Sequence, residues 1–338
     1  MRHTITLFKR LQTLVTTSLL LLMLPGSAMA SSSPNTIEAL ALKEKAALSG
    51  PIVVTIKPLY SLVAHLCEGI ETPVLLMKQA QSPHHYNMRP SERRLLANAR
   101  IIVWLGPQLE TYLQKVIEQQ QKNSRYAGTV VSAMQAKNLK KLPLRKKHRH
   151  DDDEHSANDS AGVEHLIDPH IWLSTDNAAA ISKHISKQLI KNNPHHAGQI
   201  RHNLQLLLNK IEHTADFIKS RLAHSKQPFI AYHDAFQYFE DENGLNYIDA
   251  INFSDEGGTS LKHMRRIKTQ IEDNNIRCLV YQPPKPAIIK TLTEQSSVTD
   301  SGLDPLGLEV SDDKNAWFEI MQQLAMNFSH CLKTPEAH

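Results

Sequence analysis

Histidine stands out among the side chains that can do chemistry, with 19 copies in a chain of 338 residues. Three of them, His84, His170 and His233, lie in predicted loops at the ends of strand-like runs. Loops beyond the carboxyl ends of parallel strands are where α/β folds bind ligands, and a neutral imidazole is a common metal ligand. We therefore predict one metal site built from three histidines that lie far apart in the sequence.

A fourth loop of the same kind contains Asp304, a candidate for a fourth ligand. Taken singly, each of these four residues has a more ordinary interpretation. A histidine after a strand is commonly a hydrogen-bonded loop residue, and an aspartate before a proline commonly starts a turn. The prediction of a metal site therefore depends on the set and not on any one of its members.

The ligand chemistry of this set favours zinc over manganese. Manganese sites favour oxygen donors, whereas three imidazoles with at most one carboxylate or water suit tetrahedral Zn2+. Position 233 decides between the two metals, since a glutamate there would favour manganese. Because a histidine must be neutral to bind a metal, we expect affinity to fall as the pH drops through about 6.5, the pKa of an unperturbed histidine.

Short β-branched runs alternate with amphipathic stretches on either side of one long helical stretch. The predicted strands cover residues 52–56, 73–76, 101–104, 228–232, 247–251 and 278–281. This alternation predicts an α/β fold with parallel sheets, here two Rossmann-like lobes. Apolar residues recur with helical spacing over 194–224 and predict one long helix that joins the lobes.

The chain is thereby divided into predicted parts. They are a signal peptide at 1–30, a mobile segment at 31–50, a first lobe at 51–193, the linking helix at 194–224 and a second lobe at 225–338. Because His84 and His170 fall in the first lobe and His233 in the second, the predicted site lies in the cleft between the lobes.

The first thirty residues have the three parts of a secretory signal, namely a basic start, a leucine-rich run over 11–24 and a small-residue cleavage site ending at Ala30. We predict cleavage after Ala30 and export to the periplasm. Removing the three basic residues of this segment lowers the formal net charge from +4 to about +1. No charge surplus then indicates a nucleic-acid partner.

One segment of the first lobe, 145–165, breaks the alternation because it is rich in charged residues and almost free of apolar ones. We predict a disordered loop there. Its histidines form a predicted auxiliary, weak metal site: His148, His150, His155 and His165. The loop is either a solvated charged segment or one that captures zinc weakly beside the cleft or senses zinc excess, and we favour weak capture.

Five motifs along the chain resemble those of one family. They are Pro83-His84-His85-Tyr86 with Arg89-Pro90-Ser91, Val103-Trp104-Leu105-Gly106, Asp168-Pro169-His170-Ile171-Trp172-Leu173, Tyr232-His233-Asp234-Ala235-Phe236 and Leu303-Asp304-Pro305-Leu306-Gly307. Through them the chain, from about residue 52 to residue 332, resembles the periplasmic solute-binding proteins of metal-uptake ABC transporters. The resemblance is to the zinc-binding ZnuA type of the cluster A-I family.

The resemblance implies a monomeric protein without catalytic activity that binds Zn2+ and delivers it to a membrane permease, with an ATPase on the far side. The three histidines match the family's histidine ligands. Asp304 matches a carboxylate that completes the site in manganese-binding relatives, while a water or another carboxylate takes that place in zinc-binding members. Some relatives have a glutamate just before the first ligand histidine. Here Pro83 occupies that position, so a glutamate contact from that side is excluded.

The chain has three cysteines, which in an oxidising compartment predict one disulfide and one free thiol. The resemblance implies a disulfide between Cys278 and Cys331, whose loop closure would stabilise the fold by roughly 4 kcal/mol. Cys67 lies among apolar residues and is predicted to pack as a small hydrophobic side chain.

Two other functions compete with metal delivery. A secreted zinc hydrolase also uses three histidines and an open position, but the sequence has no H-E-x-x-H motif or similar arrangement to supply a general base. The other is that of a manganese-binding or adhesin-type relative with the same fold. A lipid-anchoring cysteine at the cleavage site would indicate the adhesin, and serines stand at 31–33.

Overall fold

The computed structural model describes residues 49–78, 82–123, 126, 128–145, 167–252, 259–294 and 296–333. The predicted signal peptide, most of the segment over 31–50 and the four histidines of the predicted auxiliary site lie outside the described residues. Within the described ranges, no helix is both long and apolar enough to cross a bilayer.

The first sheet contains four parallel strands in the order β2-β1-β3-β4. The strands are β1 Ile52–Val54, β2 Val74–Leu75, β3 Ile101–Trp104 and β4 Thr129–Ser132. The helices that accompany them are α1 Lys57–Leu66, α2 Pro90–Ala97 and α3 Thr111–Lys122. The central strands β1 and β3 are buried along their whole length and consist almost entirely of β-branched residues, as expected where helices cover both faces of a parallel sheet.

Two helices connect the first sheet to the second. They are α4 Thr175–Asn192 and α5 Ala197–Leu222, separated by a 3-10 turn at Pro194–His196. Helix α5 has 26 residues, which corresponds to about 39 Å at 1.5 Å per residue. Its apolar face packs against α4, α1 and the C-terminal helix, so it contacts elements on both sides of the chain's midpoint.

The second sheet also contains four parallel strands, in the order β6-β5-β7-β8. The strands are β5 Pro228–His233, β6 Asn246–Asn252, β7 Cys278–Tyr281 and β8 Thr299–Gly302. The helices are α6 Gln237–Asn243, α7 Leu261–Asp273, α8 Ala287–Thr293 and α9 Ala316–Cys331. The predicted α/β class with two parallel sheets is confirmed. The division of the chain into the five parts given above stays a prediction.

The edge strands β4 and β8 were not among the predicted strands. Strand β8 has the sequence Thr-Asp-Ser-Gly and is exposed or half-buried throughout. An edge strand pairs on one side and faces solvent on the other, so its sequence needs neither the apolar run nor the β-branched residues that mark a central strand. Pairing with β7 therefore creates a strand that the residues alone do not indicate.

A single apolar cluster includes the inner faces of both sheets. Val54 and Val103 of the first sheet and Phe229 and Val280 of the second all belong to it. Two smaller clusters, which include Val53 and Ile102 in one and Ile230 and Leu279 in the other, cover the opposite faces. The same cluster contains residues of α1, α4, α5 and α9, so the two sheets are connected through the side chains of these helices.

The predicted disulfide is confirmed. Cys278 at the start of β7 is bonded to Cys331 at the end of α9, with a Cα to Cα distance of 5.4 Å. Cys67 is free and buried, as predicted. Burial raises the pKa of its thiol to about 12, which leaves almost no thiolate at neutral pH and makes Cys67 a packing residue.

Candidate metal centre

His84 lies in the loop between β2 and α2. Its backbone N–H donates to Ser82 Oγ at 3.3 Å. The far end of this loop is tied to α2, because the hydroxyl of buried Tyr86 donates to Glu92 Oε1 at 2.6 Å. His84 is half-buried, whereas His85 beside it is exposed. Consecutive side chains of this loop therefore point in different directions, and His84 is the one that reaches the site.

His170 immediately precedes the 3-10 turn Ile171–Leu173 and is 5% exposed. Buried Asp168 accepts two hydrogen bonds from it through Oδ1, from the backbone N–H at 2.9 Å and from ring Nδ1 at 2.7 Å. A carboxylate can only accept, so Nδ1 carries the proton and Nε2 keeps the lone pair that a metal needs. Asp168 thereby sets both the tautomer and the orientation of a ligand.

His233 is the last residue of β5, a central strand of the second sheet, and is paired in register with Asn252 of β6. It is buried. Because the parallel strands all end at the same edge of the sheet, this position directs His233 toward the loops that contain His84 and His170.

The three predicted histidines meet. Each offers one ring nitrogen, and these atoms all lie within 4.8 Å of one another. Four-coordinate zinc with bonds of about 2.0–2.1 Å places its ligand nitrogens about 3.4 Å apart, so modest ring movements would close the set around one ion. The space that the three histidines line together with six other residues is small, about 10 Å³. The geometry fits a single small ion.

Asp304 does not belong to this group of ligand atoms. Its carboxylate accepts backbone N–H groups instead, from Leu306 at 3.0 Å, from Gly307 at 2.8 Å and from Leu308. The structure therefore places Asp304 as the residue that shapes the turn over 304–308. Pro305 and Leu306 of that turn line the space beside the three histidines.

A buried ionic cluster, absent from the predicted site residues, lies behind His170 and His233. Arg145 donates to Asp234 at 2.6 Å and to Glu240 at 2.5 Å. Burial raises the pKa of both carboxyls, that of Glu240 to about 8, and the Arg145 guanidinium opposes this shift. A weak signal was present in the sequence, since Asp234 follows a predicted ligand directly, but nothing local links it to Arg145, 89 residues earlier.

Two parallel sheets whose loops bring three imidazoles into one small buried space define a metal-binding protein of the two-sheet, solute-binding architecture. The family model for ZnuA, described as zinc-uptake complex component A, periplasmic, matches residues 52–331. The chain belongs to this family. The high-affinity zinc uptake system protein ZnuA of Brucella abortus (strain 2308) is 29% identical over 308 residues, which covers 83% of this chain and 91% of that protein.

Solved structures share the fold. A crystal structure of ZnuA superposes with a TM-score of 0.69 at 18% identity, covering 84% of this chain and 99% of that one. The solute-binding protein FpvC of Pseudomonas aeruginosa, solved in complex with Mn2+, gives a TM-score of 0.70 at 16% identity and covers 84% and 98%. Since the same fold appears with manganese, the fold by itself does not decide which metal is bound.

Proposed function

We propose that this chain binds one Zn2+ ion at His84, His170 and His233 and delivers it to an ABC transporter permease for zinc import. The observation that carries the proposal is the convergence of three ring nitrogens within 4.8 Å of one another. Membership of the zinc-uptake family supports it independently. Zinc is then cargo that the protein must release, and not a resident cofactor.

The donor set supports zinc over manganese. Three imidazoles in a small space match four-coordinate Zn2+, while Mn2+ is usually held by more ligands, mostly oxygens. The Asp304 carboxylate could add an oxygen ligand that favours Mn2+, but it accepts hydrogen bonds from three backbone N–H groups. We therefore assign the fourth position to a water and keep Asp304 in a supporting role.

Negatively charged side chains lie near the site and can offset the positive charge of the ion. Asp168 contacts His170 directly, and Asp234 lies behind the histidines, paired with Arg145. Glu240 adds little negative charge at neutral pH, because burial raises its pKa to about 8. A partly compensated acidic cluster offsets some of the positive charge that three neutral imidazoles leave uncompensated.

The family is one of solute-binding proteins, and its description as periplasmic supports export of this chain through the signal peptide predicted at 1–30. A permease in the inner membrane and its ATPase are the partners that the proposal requires. Catalysis by a zinc hydrolase would need an open metal face with a positioned general base. The other described residues that line the space are Ser82, Pro83, Trp172, Gln282, Pro305 and Leu306, none of which has a carboxylate or an imidazole to serve as that base.

Metal analysis of untagged protein tests the proposal. We expect one tightly bound Zn2+ per chain, Mn2+ binding that is weaker by several orders of magnitude, and loss of the tight site in His233→Ala. In cells that depend on this chain, growth in zinc-chelated medium should need the wild-type protein and fail with His233→Ala. Tight manganese binding, or tight zinc binding that survives the substitution, would refute the proposal.

The segment over 145–165 is proposed as a weak, auxiliary zinc-binding loop through His148, His150, His155 and His165. A variant lacking residues 146–165, which keeps Arg145 and its buried ion pairs, tests the division of labour between loop and cleft. We expect it to keep the one tight site and to lose only weaker zinc equivalents in a calorimetric titration. Loss of the tight site would contradict a purely auxiliary role.

A further inference from the structure

Lys57 is the first residue of α1, directly beyond the carboxyl end of β1, and its side chain is 12% exposed. Its ammonium group crosses from the first sheet to the loop after β8. There it donates to the carbonyl oxygens of Gly307 and Val310, the latter at 2.5 Å, and forms an ion pair with Asp312 at 3.0 Å. A largely buried ammonium whose donors are used by a distant loop holds that loop firmly in place.

The loop that Lys57 holds forms one wall of the metal space. Pro305 and Leu306 line that space together with the three histidines. The wall is also held by Asp304, through the amides of the same turn, and by Trp172, whose Nε1 donates to the Pro305 carbonyl at 2.8 Å. Gly307 adopts a φ of 68°, and a Cβ there would lie 2.7 Å from Ile320, so the turn has one permitted shape.

We propose that Lys57 is a positioning residue that sets the coordination number of the bound ion, and through it the selectivity for zinc. The inference rests on the proposed function. Lys57 holds the Pro305 and Leu306 wall beside the histidines, so the space left for the ion and its further ligands is small, about 10 Å³. A tetrahedral ion with three imidazoles needs one further ligand, whereas an octahedral ion needs three. A wall fixed beside the histidines favours the ion that needs fewer further ligands.

Lys57→Met tests this inference, because methionine keeps much of the length and packing of lysine but removes all three donors. The matched control is Lys314→Met. Lys314 also links the second half of the chain to the first, through an ion pair with Glu68 just after α1, and it lies outside the described lining of the metal space. Lys57→Arg, which retains charge and donors, is the conservative rescue. Thermal unfolding of each variant reports stability separately from metal coordination.

The test measures the visible absorption of Co2+ bound in place of Zn2+. Four-coordinate Co2+ absorbs visible light much more strongly than six-coordinate Co2+, because a tetrahedral ligand field has no centre of symmetry. We expect an intense tetrahedral band in the wild type and in Lys314→Met, a weak octahedral-type band in Lys57→Met, and substantial recovery in Lys57→Arg. We also expect Lys57→Met to reduce the preference for Zn2+ over Mn2+ by roughly ten-fold, the lower end of effects seen for residues that support metal ligands.

The outcomes separate this inference from the proposed function. If wild-type protein binds Zn2+ tightly and Lys57→Met keeps both the tetrahedral Co2+ band and the metal preference, Lys57 only stabilises the fold and the inference is wrong. Equal loss of the tetrahedral band in Lys57→Met and Lys314→Met would also overturn the inference, because the effect would then not be specific to Lys57. If the wild-type protein itself fails to bind Zn2+, the proposed function is wrong.

Discussion

Two segments that supply ligands to the same ion are held in different ways. The segment over 168–173 is buried throughout, and Asp168 fixes both the backbone and the ring of His170. Tyr238 donates to the Asp168 carbonyl at 2.9 Å, and Trp317 donates to the Trp172 carbonyl at 2.8 Å. The segment over 82–86 alternates between buried and more exposed residues, and its histidine is half-buried.

This difference indicates a division of labour within one site. His170 is oriented by a buried hydrogen-bond network before any ion arrives, so little ordering remains to be done on binding. His84 lies at the more exposed end of the site, on a loop that is less completely buried than the segment over 168–173. We infer that the ion is received by a fixed half containing His170 and His233 and is enclosed by an adjustable half containing His84.

Removing the fixed ligand should have the largest effect. We expect His170→Ala to lower zinc affinity roughly 1000-fold, equivalent to about 4 kcal/mol, because it deletes a pre-oriented ligand and leaves the Asp168 carboxylate without its ring partner. His84→Ala should lose roughly 100-fold. Competition with a chromophoric chelator measures both values. Equal losses, or a larger loss for His84→Ala, would break the distinction between the two halves.

Removing only the group that orients the fixed ligand should have an intermediate effect. Asp168→Asn keeps an acceptor for His170 but removes the negative charge behind the ring. We expect zinc affinity to fall roughly 10- to 100-fold, with His170 still in place. Asp216→Asn, at an exposed position of α5, is the matched control and should leave affinity unchanged. An unchanged affinity in Asp168→Asn would mean that Asp168 shapes the backbone and does not tune the ligand.

A second buried carboxyl, that of Glu110, should affect the pH dependence of stability and leave zinc affinity unchanged. Glu110 is fully buried and accepts the Leu105 N–H at 2.7 Å, at the carboxyl end of β3. Burial raises the pKa of Glu110 from 4.5 to about 7, despite hydrogen bonds from Leu105 and Gly106. The folded state therefore binds more protons than the unfolded state between these values, and the stability of the wild type falls as the pH rises through this window.

Glu110→Gln removes this proton-binding difference. We expect the free energy of unfolding of the variant, relative to that of the wild type, to rise by roughly 3 kcal/mol in total as the pH rises from about 4.5 to 7. Zinc affinity should not change, in contrast to Asp168→Asn. Denaturant unfolding at pH 4.5, 6 and 8 provides the test, and a difference between variant and wild type that stays constant with pH would contradict it.

Local sequence was sufficient for the class of fold and for the three histidines. Alternating β-branched and amphipathic runs indicate parallel sheets because each signal depends on neighbouring residues, and a histidine at the end of a predicted strand has a position that the topology dictates. The edge strand β8 and the pairing of Arg145 with Asp234 and Glu240 could not be predicted, since each depends on partners far along the chain.

The role of Asp304 shows most clearly what the sequence alone cannot predict. By type and loop position Asp304 is as good a candidate ligand as the histidines, and the sequence by itself determined only that four such residues exist. The tertiary structure decided how each is used. Three ring nitrogens converge, while the Asp304 carboxylate accepts the amides of its own turn. The physical reason is that a carboxylate beside unpaired backbone N–H groups is stabilised by them locally, whereas the imidazoles meet only through the packing that brings the two sheets together.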